Sequence, residues 1–170
     1  LMELHRKDPD GYIVKYIEHK GKGHRINDRN TPSWLSQFTR DPVPEKIVWQ
    51  QLIPSVGTSI RQYQEYIASG PLNYLYFPDR CCWLKNPDPG PFEFATAVRS
   101  GNTIRLEKTA YLRRLTLLLD DRMVDLDQPV TVYHNGKKIV SRKADRTADS
   151  LISTLAEYGD PRLVFSARLT

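Results

Sequence analysis

The sequence has little cysteine, no long apolar run and little net charge. Its 170 residues hold two cysteines, the neighbours Cys81 and Cys82. With no third cysteine there is neither a disulfide framework nor a cysteine-based zinc site. Adjacent cysteines seldom bond to each other because the geometry is strained, so both are expected as thiols, at least one buried as a small hydrophobe. That leans against an oxidising compartment without excluding one. The longest uncharged apolar run, Leu115-Thr116-Leu117-Leu118-Leu119, is far too short to span a bilayer, so no membrane span is expected. No basic start leads into an apolar stretch, so no signal peptide is expected in this chain; the compartment stays open, export of a longer parent included. Lysine and arginine number 25 against 20 acidic residues, a net charge of +5 that is spread along the chain. A nucleic-acid-binding domain concentrates its basic residues. Only Lys137, Lys138, Arg142, Lys143 and Arg146 cluster, and they read as a solvated strand edge, so nucleic acid is not an expected partner.

What is present is ordinary globular material: 39% hydrophobic and 26% charged residues exclude disorder throughout. Leu1–Lys7 reads as the last turns of a helix and Asp8-Pro9-Asp10-Gly11 as a turn. Tyr12-Ile13-Val14-Lys15-Tyr16-Ile17 is β-branched and aromatic, the pattern of a strand buried on most of both faces. Gly21-Lys22-Gly23-His24 follows as a loop. Thr31-Pro32 then opens a short helix with Trp34, Leu35 and Phe38 on one face, stopped by Asp41-Pro42-Val43-Pro44. This αβα unit needs parallel neighbours that the chain does not supply. From Glu45 onward the pattern is mostly short strands with one or two helices. Strands are expected over Lys46–Leu52, Tyr74–Phe77, Arg80–Leu84, Glu93–Arg99, Thr103–Glu107, Leu112–Leu119, Val130–Tyr133, Lys138–Val140 and Leu163–Leu169. Asn135-Gly136 marks a hairpin, because a type I′ turn needs positive φ at both central residues. Thr147 caps a helix over Ala148–Tyr158 with Leu151, Ile152 and Leu155 on one face, and Gly159-Asp160-Pro161 ends it. The expected class is α+β, mainly β: a small antiparallel sandwich or roll (residues 45–170) preceded by the αβα unit (residues 1–44).

Three groups of side chains invite a chemical reading. Asp120, Asp121, Asp125 and Asp127 form an acidic cluster interrupted by Arg122. Calcium takes several oxygen ligands, but the EF-hand pattern is absent and an exposed turn accounts for the same residues, so no metal is expected. His5, His19 and His134 lack metal-ligand spacing. Trp49, Trp83, Tyr74, Tyr76 and Tyr133 either line a sugar-binding face or fill a core; aromatics in strands favour the core. His24 follows a strand-like run on a loop freed by two glycines, a place where an imidazole can act as a general base.

The run Tyr12–Ile17, Gly21-Lys22-Gly23-His24, Trp34–Phe38 resembles the C-terminal end of an α/β-hydrolase of the esterase or serine-peptidase-like kind. Arg40–Trp49, Cys82-Trp83-Leu84, Leu115–Leu119, Val124–Val132, Asn135-Gly136-Lys137 and Gly159-Asp160-Pro161 resemble a subgroup with an appended β-rich domain, from which the tract Pro54–Tyr76 departs as an insertion. The resemblance implies that His24 is the general base of a Ser-Asp-His triad hydrolysing an ester or peptide bond. Chain order in that fold runs Ser, Asp, His, so the other two members would lie upstream, in a catalytic domain of the same polypeptide. No Gly-x-Ser-x-Gly occurs here. Without nucleophile and oxyanion donors a lone histidine contributes almost nothing, so the chain alone is expected to be inert. On this reading residues 45–170 are accessory: they cover a sheet edge, shape the substrate entrance or mediate assembly, homo-oligomers included. No cofactor is implied. A non-catalytic carbohydrate- or protein-binding β-rich module is the alternative, and a self-contained α+β protein a third.

Overall fold

A computed structural model describes residues 2–9, 13–23, 28–51 and 77–170. The chain divides into two compact units, Leu1–Arg40 and Asp41–Thr170.

Among its described residues the first unit holds two short helices, α1 (Met2–Lys7) and α2 (Thr31–Leu35). Glu3 and Lys7, one turn apart, pair on the exposed face of α1 at 3.0 Å. Pro32 sits in the first turn of α2, as expected, with Asn30 rather than Thr31 at the cap. Trp34 and Phe38 meet edge to face, centroids 5.0 Å apart. The strand expected at Tyr12–Ile17 does not form over its described part. Residues 13–19 are irregular, and Ile13, Tyr16 and Ile17 are exposed instead of buried on both faces. A strand exists only through hydrogen bonds to a neighbouring strand, so apolar β-formers without one stay extended and unpaired. No described residue of this unit is buried.

The second unit is mainly β, with two sheets. The first has five strands in the order β1 (Lys46–Gln50), β4 (Phe94–Ser100), β5 (Thr103–Ala110), β7 (Val130–His134), β8 (Lys137–Arg142). The second has four: β2 (Arg80–Cys81), β3 (Leu84–Lys85), β6 (Thr116–Leu119), β9 (Ala167–Leu169). One core collects side chains from both, among them Ile47 and Trp49 of β1, Ile104 of β5, Val130 of β7, Leu84 of β3, Leu117–Leu119 of β6 and Ala167 of β9. Alternation decides which residues enter it: in β1, Ile47 and Trp49 are buried while Lys46, Val48 and Gln50 face out.

Among the described residues the strand pairs are antiparallel except β5–β7, which runs parallel from Thr103↔Thr131 to Leu106↔His134. A parallel pair needs a long crossover. Residues 111–129 supply it by sending β6 into the other sheet on the way. The expected Asn-Gly hairpin joins β7 to β8, with φ of 48° at Asn135 and 75° at Gly136. A bulge in this pair skips Ile139, which is exposed on the edge strand.

Other elements depart from expectation. Arg80–Leu84 is not one strand but a hairpin that turns at Cys82-Trp83, with Cys82 at φ 51°. The strand expected from Leu112 begins only at Thr116, because Arg113 and Arg114 stay in solvent. The terminal strand is cut to Ala167–Leu169: Asp160 accepts the Arg162 N–H and Pro161 sets a 3₁₀ turn over Pro161–Leu163. The helix α3 (Ala148–Tyr158) starts at Thr147, whose hydroxyl accepts the Ser150 N–H at 3.1 Å, and ends at Gly159 in the left-handed region. Its orientation is the inverse of an amphipathic helix. Ser150 and Thr154 are buried, while Leu151, Ile152 and Leu155 face solvent. Thr154 Oγ1 accepts the Phe165 N–H at 3.0 Å and donates to the Ser150 carbonyl at 2.7 Å, so small hydroxyl residues bring the helix against the 164–166 segment.

Candidate functional site

His24 lies outside the described residues, as does the whole of the expected insertion Pro54–Tyr76 with Tyr74 and Tyr76, so no triad geometry is on view. The acidic cluster is divided between two arginines. Arg122 forks onto Asp120 and donates to the carbonyls of Arg162 (2.7 Å) and Val164 (2.9 Å). Arg146 holds Asp121 at 2.5 Å and Asp127 at 2.8 Å. The hydrogen-bonded guanidinium keeps both carboxyls below the usual aspartate range. Asp125 accepts the Asp127 N–H within the same turn. Among the described residues no three His, Cys, Asp or Glu side chains are placed to hold a metal ion. Trp49 and Trp83 belong to the core and cannot form a sugar platform; Tyr133 lies half-buried with the Arg105 guanidinium 5.6 Å from its ring centre. Lys137, Lys138 and Arg142 stand on β8, the sheet edge, where charge discourages edge-to-edge pairing.

A second polar group fastens α3. Tyr158 donates to the Cys82 carbonyl at 2.7 Å, beneath the Arg80 guanidinium, and burial pushes its phenol well above the usual range. Glu157 takes Lys85 at 2.5 Å and Arg80 at 3.4 Å. These contacts clasp the helix to the β2–β3 hairpin.

The arrangement best fitted to bind something lies at the open end of β4 and β5, where Phe94 pairs with Ala110. The proline-rich run Asn86–Pro91 leads into Glu93, which is 8% exposed. Its Oε2 accepts from Asn86 Nδ2 at 2.6 Å and from the Gly90 N–H at 3.0 Å, and its carbonyl accepts the Gln51 N–H at 2.8 Å. Asn86 is buried and in turn accepts the Asp88 N–H at 3.0 Å, which orients the amide that orients the carboxylate. Beside this group opens a depression of about 510 Å³, lined by Asp88, Gly90, Glu93, Tyr111, Leu112 and Arg113 with two flanking prolines. Two non-glycine residues here hold positive φ, Phe92 at 61° and Tyr111 at 57°. Backbone strain of this kind gathers at binding sites and persists where the surroundings over-determine it. The described lining has no serine, threonine, cysteine or histidine, so it offers fixed acceptors and an aromatic ring rather than a nucleophile.

The sequence reading passed over Glu93 and Tyr111. Its proline count located the loop, but nothing in a run of prolines says which carboxylate the loop will enclose. Comparisons with protein-family models, curated proteins and solved structures returned no match.

Proposed function

We propose that residues 45–170 are a non-catalytic accessory module carried behind an α/β-hydrolase-type catalytic domain, and that residues 1–44 are the tail of that domain, bringing His24 as general base. In the intact protein an upstream serine attacks an ester or peptide carbonyl, His24 takes the serine proton and an aspartate orients the imidazole. The present chain lacks the nucleophile motif and is inert alone. One observation carries this reading. The described part of residues 1–40 buries no side chain and leaves Leu4, Ile13, Tyr16, Ile17, Leu35 and Phe38 exposed, whereas residues 41–170 enclose a full core. Exposed apolar side chains at that density mark a surface made to be covered.

The test compares this chain with the polypeptide extended upstream as its reading frame encodes. Short-chain p-nitrophenyl esters and a fluorophosphonate probe should show turnover and labelling only in the extended form, and His24→Ala should abolish both. Upstream sequence without a serine nucleophile, or activity indifferent to His24→Ala, removes the triad role. Real turnover by the 170-residue chain refutes its inertness.

A further inference from the structure

We propose that the Glu93 pocket is a binding site for a neutral saccharide. This deepens the binding-module alternative and does not depend on the triad. Glu93 is more than nine-tenths buried, and its Oε2 is held by Asn86 Nδ2 and the Gly90 N–H, which fixes the carboxylate at the wall of the depression. A carboxylate already fixed in this way presents an acceptor to a ligand hydroxyl with little further ordering. Gly90 keeps the approach open: a Cβ at that position would stand 3.8 Å from Oε1. Across the depression Tyr111 is 65% exposed, held by a left-handed backbone at the end of β5. An exposed phenol ring offers an apolar face with a wet edge, the counterpart of a pyranose whose C–H face is apolar and whose rim is hydroxylated. Charge selects among ligands. Asp88 and Arg113, both exposed, put opposite signs on the rim, so a cation that suits Glu93 and Asp88 meets the guanidinium, and an anion meets two carboxylates. Hydroxyls, which donate and accept, satisfy both. The volume is that of a small-ligand pocket.

The experiment is calorimetric titration of the whole chain with four neutral oligosaccharides (β1,4-glucan, α1,4-glucan, β1,4-mannan and chitin hexamers) and with N-acetyl-lysine amide as the cationic comparator. At least one saccharide should bind and the amine should not. Tyr111→Ala should weaken that binding about tenfold or more. Glu93→Gln should do likewise, because it keeps a carbonyl for the Asn86 and Gly90 donors but presents an N–H where Oε1 stood. Gly90→Ala, at an unstrained φ, should weaken binding with an unchanged melting temperature, which separates loss of the site from loss of the fold. No saccharide binding at about 1 mM, preference for the amine, or binding untouched by Tyr111→Ala and Gly90→Ala would overturn the proposal. The hydrolase reading fails or survives on the ester assay alone.

Discussion

Replacing Thr154 tests whether α3 is held by its hydroxyls rather than by its leucines. Thr154 is 1% exposed, its Oγ1 accepting the buried Phe165 N–H at 3.0 Å. Thr154→Val keeps shape and β-branching but strands that N–H, and an orphaned buried donor costs about 1–3 kcal/mol. Thr154→Ser keeps the bond and removes one methyl, about 1 kcal/mol. Thr154→Ala loses both, about 3 kcal/mol when the two effects add. The expected order of stability is wild type, Ser, Val, Ala. Urea unfolding of the whole chain, followed by far-UV circular dichroism, reads it; a constant m-value confirms that the folded and unfolded states stay comparable. An ordinary amphipathic helix would reverse the order, since valine at an apolar interface is neutral or better. A valine variant as stable as the serine variant would therefore refute the inward placement of Ser150 and Thr154.

Three further outcomes follow from the same geometry. Trp83 is fully buried and its indole N–H donates to the Pro44 carbonyl at 2.8 Å. Trp83→Phe leaves roughly 40 Å³ empty, worth about 1 kcal/mol, and strands the carbonyl, so guanidinium unfolding should register a loss of about 2–4 kcal/mol; a loss under about 1 kcal/mol would contradict the bond. Gly136→Ala forces a side chain into φ 75° and should cost about 1 kcal/mol in thermal unfolding, whereas Gly101→Asn at φ 50° should cost much less. Asp121 and Asp127 have lowered pKa values through Arg146, so their ion pairs favour the fold above the ordinary aspartate pKa and fade as pH falls through the lowered values. Arg146→Ala should return both carboxyl titrations, followed by carbon-13 NMR, toward the ordinary range, and high salt should do so in part because the pairs are exposed; unmoved midpoints would exclude the pairing.

The β-rich half was legible where local chemistry dictates conformation. Asn135-Gly136 must turn because only such residues accept two positive φ values, and Thr147 and Gly159 bound a helix because a hydroxyl and a left-handed residue satisfy its end groups. What failed to read correctly is what partners decide. Tyr12–Ile17 has every strand-forming residue, but its described part has no strand to pair with, so propensity alone yields nothing. Cys82 occupies the left-handed region without glycine's freedom, so a turn that splits Arg80–Leu84 carries no compositional sign. The parallel β5–β7 pair is equally silent, since its alternation is the same as that of an antiparallel pair.

The candidate pocket shows why a site is harder to read than a sheet. Glu93 is one of 20 acidic residues, and Tyr111 one of nine tyrosines. Neither sits in a motif. Glu93 becomes distinctive only when Asn86, seven residues earlier, turns a buried amide onto it and Gly90 adds a backbone donor. Tyr111 joins it only because the register pairs Phe94 with Ala110, bringing two segments eighteen positions apart to one end of the sheet. Two positive-φ residues then fix the rim. The chemistry of the place therefore belongs to strand pairing rather than to any stretch of sequence. A register slip of one residue in β4–β5 would turn Glu93 to the other face and erase the site while leaving the composition of both strands unchanged.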